Sequence, residues 1–167
     1  MKYKIVNPSI DLTDIENDIR INSNIVKMQF DKHILMVQSN SFLELFKIVL
    51  SNLTILTEEP FNEYVKNSFT FIETENSGDI LKFSKQLKSD INLISKYSFI
   101  YLTKSFGTKI SLNLNTNPNQ VEISDGDLLL FKTEDFLGDT CLSPNRVGVC
   151  GSITNLISND NLKKTII

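Results

Sequence analysis

The 167-residue sequence predicts an α+β fold with a double-stranded β-helix (jelly-roll) core and N-terminal helices packed on one sheet. Helical periodicity dominates the first third of the chain, and period-two alternation dominates the rest. Near the C-terminus, an apolar run at 128–131 leads into a polar loop, and Arg146 then opens a second apolar strand at 147–153. Many jelly-roll domains end with two such strands around a polar crossover.

The first 67 residues are predicted to form a largely helical lead-in. In chain order they are expected to contain a strand at 2–6, a helix at 11–21, two strands of a hairpin at 25–30 and 33–38, a helix at 42–53 and a short helix at 60–67. Asp11 or Thr13 can cap the first helix, because a short oxygen-bearing side chain accepts hydrogen bonds from the first-turn amides. Phe42, Leu45 and Val49 have helical spacing in the strongest of these segments.

The β-rich core is predicted to span about 68–155, followed by a tail at 156–167 that has no strong pattern. Its first expected strand begins at residue 69, and further strands are expected at 98–103, 110–114, 128–131 and 147–153. Residues 80–94 fit either a helix or two strands, and residues 115–119 fit a loop. Asp125-Gly126-Asp127 is a turn signal, because Asp and Gly tolerate turn geometry. With no linker or internal repeat, the chain is predicted to be one domain.

The composition is typical of a folded globular protein. The chain is 41% hydrophobic and 22% charged, with a net charge of −3. These values argue against nucleic-acid binding and against an acidic membrane surface as partner. With no recognisable secretory leader and no apolar run of about 20 residues, a cytoplasmic location is expected. The lack of Ala and Trp and the abundance of Asn, Ile and Lys indicate a low-GC bacterial or phage origin; a phage protein could instead be located in the virion.

Arg20 and Arg146 are the only arginines in a chain that otherwise uses lysine. The planar guanidinium binds carboxylates through a fork of N–H donors, so Arg146 is a candidate carboxylate-binding residue. Cys141 and Cys150 flank Arg146 and can be buried small side chains, a cross-strand disulfide or metal ligands. Buried thiols are favoured, because no leader indicates an oxidising compartment and the only histidine, His33, is distant in sequence.

From residue 87 onward, roughly the C-terminal half, the chain resembles the Fe(II)/2-oxoglutarate-dependent oxygenases of the prolyl-4-hydroxylase-like branch. The resemblance rests on five pieces in matching order: KSD at 88–90, FIYL at 99–102, GTKISLNL from 107, DGDLLLF ending at 131, and RVGVCGSI from 146. It implies a jelly-roll fold, an iron site near the first and fourth pieces, and an arginine for the distal carboxylate of 2-oxoglutarate at Arg146.

The resemblance also implies that the iron site has been lost. Lys88 stands where the family has its first histidine, and Leu137 or Gly138 stands where the second is expected. A protonated ammonium cannot bind a metal, and neither Leu nor Gly has a ligating atom. Of the three iron ligands only Asp90 is retained, so we expect no bound metal or other cofactor, with 2-oxoglutarate or another small carboxylate as the candidate ligand.

The remaining polar residues favour structural roles. Asp125 and Asp127 are explained by the turn that they flank. Glu134, Asp135 and Asp139 are expected in an acidic loop that is either solvated or able to bind Ca²⁺ or Mg²⁺. His33 is expected to be a structural histidine near the core. The sequence has no nucleophile-elbow or phosphate-loop motif.

The sequence therefore favours a catalytically degenerate oxygenase-like barrel that acts as a binding or interaction module. Its ligand would be a small carboxylate near Arg146 and Lys88, or another protein. Two alternatives stay open: a structural or assembly protein that associates with copies of itself, and an active Fe(II)/2-oxoglutarate oxygenase whose ligands, such as His33 and the acidic loop, are not recognised.

Overall fold

The computed structural model describes residues 3–28, 40–58, 61, 64–73, 96–114, 120–143 and 145–155. Its elements in chain order are β1 (Tyr3–Val6), α1 (Leu12–Met28), α2 (Asn40–Thr57), β2 (Tyr64–Glu73), β3 (Lys96–Lys104), β4 (Lys109–Leu112), β5 (Gln120–Glu122), β6 (Asp127–Lys132), a 3₁₀ turn (Thr133–Asp135), β7 (Phe136–Thr140) and β8 (Val147–Asn155). Within these described residues the fold is α+β, with two helices and two antiparallel sheets.

The strands form a five-stranded sheet in the order β1-β6-β3-β8-β2 and a three-stranded sheet in the order β5-β4-β7. The chain passes from the larger sheet at β3 to the smaller one at β4 and β5, and then returns to the larger sheet at β6. It enters the smaller sheet again at β7 and finishes in the larger one at β8. The second half of the chain therefore alternates between the sheets.

The larger sheet is covered on both faces, because alternate residues of a strand point in opposite directions. On β3, Phe99 and Tyr101 face the helices, whereas Ile100 and Leu102 face the smaller sheet. The helix-side core includes Ile15, Ile19, Leu45, Phe46, Val49, Leu53, Phe99, Tyr101, Leu128, Leu130, Val149 and Ile153. The inter-sheet core includes Ile100, Leu102, Leu129, Phe131, Cys150, Ile110, Leu112, Val121 and Phe136.

Several sequence-based predictions are confirmed. Asp11 is the N-cap of α1: its Oδ1 accepts hydrogen bonds from the backbone N–H groups of Thr13 (2.8 Å) and Asp14 (3.3 Å). The apolar spacing of α2 buries one helix face, and β4 alternates exposed or half-buried residues with buried ones. The continuous apolar run of β6 is buried on both faces, as expected for a strand between two layers.

Three predictions about local structure are wrong. Residues 25–28 continue α1 rather than starting a strand, because extending a helix avoids a new nucleation step. Residues 64–67 belong to β2 rather than to a helix, since β2 pairs with β8 from Tyr64 to Glu73. The predicted polar loop after β6 contains strand β7, which pairs with β4. Long-range pairing outweighs local propensity in the last two cases.

Within the part of the chain that the structure describes, no helix combines the length and apolar character needed to cross a membrane. The predicted strand at 33–38, the ambiguous segment 80–94, the loop 115–119 and the tail from 156 lie outside the described residues.

Candidate functional site

Arg146 is fully buried and forms an ion pair with Asp139. Its Nη1 donates a hydrogen bond to Asp139 Oδ2 at 2.7 Å, and both side chains are 0% exposed. Arg146 immediately precedes β8 of the larger sheet, whereas Asp139 lies on β7 of the smaller one. The pair therefore links the two sheets from inside.

A bulge in β7 aims Asp139 inward. Phe136 is opposite Leu112, and Gly138 is opposite Ser111, so the register shifts by one residue at Leu137. Asp139 is consequently opposite Ile110, a member of the inter-sheet core. β-Bulges commonly re-aim a side chain in this way.

Burial dominates the electrostatics of Asp139. Desolvation raises the pKa of the Asp139 carboxyl above its ordinary value, and the hydrogen bond and charge of Arg146 only partly offset the increase. Its second oxygen, Oδ1, is buried and has no hydrogen-bond partner among the residues that the structure describes. The Asp139 carboxylate therefore accepts a hydrogen bond from Arg146 at Oδ2, while no described residue donates one to Oδ1.

Of the other positions implied by the family resemblance, Leu137 and Gly138 are among the residues that the structure describes. Gly138 is half-buried and has open space where a side chain would begin. Leu137 is 56% exposed. Lys88 and Asp90 lie outside the described residues, as does His33.

The prediction that Glu134, Asp135 and Asp139 lie together in one acidic loop is wrong. Glu134 forms an exposed ion pair with Lys132 at 3.1 Å, which raises the pKa of Lys132. Asp135 lies in the 3₁₀ turn, and its backbone carbonyl accepts a hydrogen bond from Asn113. Asp139 is on a strand and buried. Across the described segments, no three His, Cys, Asp or Glu side chains are grouped so as to hold a metal ion.

Asp127 stabilises the turn between β5 and β6, as predicted, whereas Asp125 joins this turn to the β3–β4 turn. Asp125 Oδ1 accepts hydrogen bonds from the N–H and the hydroxyl of Ser105, both at 2.8 Å. Asp127 Oδ2 accepts from the Ser124 N–H at 2.9 Å. Gly126 has φ +82°, a conformation that glycine adopts readily, and its N–H donates to Leu102.

Arg20 takes part in an ion pair on α1, and the two cysteines are not joined in a disulfide bond. Arg20 lies on α1 and forms a partly exposed ion pair with Glu16 at 2.8 Å. Cys150 is buried in the inter-sheet core, Cys141 is half-buried, and neither is in a disulfide bond. The prediction of a buried thiol is therefore confirmed for Cys150, whereas Cys141 is only half-buried.

A hydroxyl cluster lies on the inter-sheet face of the larger sheet. Ser98 on β3 and Ser152 on β8 are directly opposite each other and 0% exposed. The Ser98 hydroxyl is 2.7 Å from the Thr133 hydroxyl. Sequence reasoning missed this cluster, although a serine in each of two apolar strands was visible.

The β3–β4 turn and the loop after β7 each carry an exposed apolar side chain. Phe106 is 41% exposed and has φ +46°, which is uncommon for a bulky residue. Its carbonyl accepts a hydrogen bond from the N–H of Leu142, whose side chain is 90% exposed. The Leu142 side chain lies over Gly107 in the β3–β4 turn.

Compared with known proteins, the chain matches no family model and no curated sequence.

Proposed function

We propose that the chain is a double-stranded β-helix domain of the 2-oxoglutarate-oxygenase type that lacks a working iron centre and acts as a binding or interaction module. The alternation of β3 to β8 between two antiparallel sheets supports the fold, because a jelly roll winds its strands in this way. The position of Arg146 just before the last strand supports the oxygenase-like ancestry.

The observation that carries the non-catalytic part of this proposal is the internal partner of Arg146. The carboxylate of Asp139 occupies the role that a co-substrate carboxylate would otherwise take. An external acid would have to displace Asp139 and leave its raised-pKa carboxyl buried, and breaking a buried ion pair costs about 3–5 kcal/mol. Small-acid binding at Arg146 is therefore unfavourable, and the ion pair serves to join the two sheets.

Calorimetric titration of the full chain with 2-oxoglutarate and Fe(II) tests this proposal. We expect no stoichiometric binding of either ligand and no oxidative decarboxylation. Tight retention of iron together with turnover of 2-oxoglutarate would establish the active-oxygenase alternative instead.

The Asp139→Ala variant tests whether the internal carboxylate is what blocks the arginine. Formate or acetate should raise the melting temperature of Asp139→Ala more than that of the wild type, because a small carboxylate can refill the vacated position beside Arg146. Arg146→Met combined with Asp139→Ala is the matched control and should not respond. An equal response in the wild type would mean that Arg146 is accessible to acids as the protein stands.

The exposed side chains of Phe106 and Leu142 are candidate contacts for a protein partner, and they also support the alternative of an assembly protein. Size-exclusion chromatography with light scattering distinguishes these outcomes. A self-assembling protein would form oligomers that the Leu142→Ser substitution weakens. If the protein stays monomeric at all concentrations tested, the assembly alternative is rejected and the expected partner is a different protein.

A further inference from the structure

We propose that Phe106 and Leu142 form a self-association surface, through which the protein pairs with a second copy of itself. Phe106 is 41% exposed and Leu142 is 90% exposed. The proposal rests on the interaction-module part of the function proposed above, and it names the partner. The two can fail separately, because this surface is tested by self-association and the lost iron site by ligand titration.

The backbone of Phe106 supplies the first argument. Residues 105–108 form a turn in which the Thr108 N–H donates a hydrogen bond to the Ser105 carbonyl at 3.0 Å. Its two central residues, Phe106 and Gly107, have φ of +46° and +66°. Two successive positive φ angles are typical of a type I′ turn, whose first central position favours Asn, Asp or Gly. A bulky residue in this conformation is strained, and such strain is concentrated at functional positions.

Hydrogen bonds from both sides hold the turn in this strained conformation. Asp125 Oδ1 accepts hydrogen bonds from the N–H and the hydroxyl of Ser105, both at 2.8 Å. The Thr108 hydroxyl donates to the Ser105 carbonyl, and the Leu142 N–H donates to the Phe106 carbonyl at 2.8 Å. The two exposed side chains therefore belong to one framework that is ordered before any partner binds, which reduces the entropy lost on association.

The charged residues that flank the turn favour a second copy as the partner. Lys104 precedes the turn and forms an ion pair with α1. Lys109 follows the turn and is directly opposite Glu122 on β5, while Asp125 is bound to the turn itself. Among the described residues the rim thus carries both signs of charge. A rim of one sign would repel its own copy, whereas a mixed rim can meet its copy with opposite charges facing each other.

Two-fold symmetry uses each exposed side chain twice. In a symmetric dimer the same patch serves both copies, so Phe106 of one copy can pack against Leu142 of the second copy at two equivalent places. These side chains supply only a part of the about 1,200–2,000 Å² that a stable interface buries. We therefore expect a weak dimer that dissociates on dilution.

Sedimentation velocity of the full chain over a wide range of protein concentration tests the proposal. The wild type should show a reversible equilibrium between monomer and dimer. Leu142→Ser should weaken the dimer about tenfold or more, because it removes the most exposed apolar contact. Ile55→Ser is the matched control, since Ile55 is 60% exposed on α2, and it should leave the equilibrium unchanged. A wild type that is monomeric at every concentration would overturn the proposal.

Phe106→Asn distinguishes an interaction role from a structural one. Asn adopts a positive φ more readily than Phe, so the variant should melt at or above the wild-type temperature when both are measured as monomers. Its dimer should nevertheless be about tenfold weaker or more, because the aromatic contact is lost. A lower melting temperature would show that Phe106 serves the fold. That result, or a dimer as tight as that of the wild type, would overturn the proposal.

Discussion

The two faces of the larger sheet are built from different chemistry. Among the side chains that the structure describes, the face that packs on α1 and α2 buries a large apolar cluster together with the Tyr101 hydroxyl, and it includes the edge-to-face ring pair Phe46–Phe99. The face toward the smaller sheet is apolar in its centre, but it borders Ser98 and Ser152 toward one end and the Arg146–Asp139 pair at the other. Helix packing tolerates exchange of one apolar shape for another. The inter-sheet interior instead holds polar groups whose partners are specific, so it is where single substitutions should be most informative.

The largest effect is expected at Gly148, where β8 packs tightly against β3. A Cβ added at Gly148 would collide with the Tyr101 carbonyl oxygen, which is backbone and cannot move aside. Gly148→Ala should therefore cost about 4 kcal/mol or more of unfolding free energy, or prevent folding. Gly138→Ala is the matched control, because nothing lies within 4 Å of its added Cβ. Chemical denaturation of both variants measures the contrast, and equal losses would contradict it.

The ion pair should give the next largest effect. Arg146→Met leaves the Asp139 carboxyl buried without its partner and should cost about 3–5 kcal/mol. The double substitution Arg146→Met with Asp139→Leu should recover most of that loss, because burial already raises the pKa of Asp139 in spite of the arginine.

Denaturant unfolding of both single variants and the double variant gives the coupling free energy. Arg20→Met, which removes the partly exposed pair with Glu16, is the control and should cost about 0–1 kcal/mol. If the double variant were no more stable than Arg146→Met, the two side chains would not act as a pair.

The burial of Tyr101 in the helix-side core should make the unfolding free energy depend on pH in the alkaline range. Burial raises the pKa of Tyr101 from 10.0 to about 12. Between these values the unfolded chain releases the phenolic proton while the folded protein retains it, so the Tyr101 contribution is complete below pH 10 and declines as the pH rises toward 12. Unfolding free energies measured from pH 9 to 11.5 should fall less steeply for Tyr101→Phe than for the wild type. Parallel curves would mean that the hydroxyl is solvated.

The smallest effect is expected from the cysteines. Neither Cys141 nor Cys150 is in a disulfide bond, so a reducing agent should leave the melting temperature unchanged. A decrease on reduction would reveal a cross-link that stabilises the loop before β8.

The local sequence pattern correctly predicted those helices and strands in which the spacing of apolar residues decides which side is buried. The i, i+3, i+4 spacing of α2 and the alternation of β4 are both confirmed, since an amphipathic element must turn its apolar side to the core. The turn at Gly126 was also predictable, because its conformation depends on a glycine and on the adjacent Asp127 carboxylate.

Elements that depend on a distant partner were predicted poorly. The residues of β7 are mixed in polarity, and they form a strand because β4 offers an edge for pairing. The start of β2 was assigned to a helix for the same reason, as its pairing residues lie about 90 positions later on β8.

By itself, the sequence determined an α+β chain with helices early and strands late, and it singled out Arg146 as an unusual residue. Only the tertiary structure decided what Arg146 binds, because a one-residue bulge in β7 turns Asp139, rather than Gly138, toward the interior. Side-chain direction in a strand changes with every residue, so the partner of a buried charge depends on a register that no local pattern encodes.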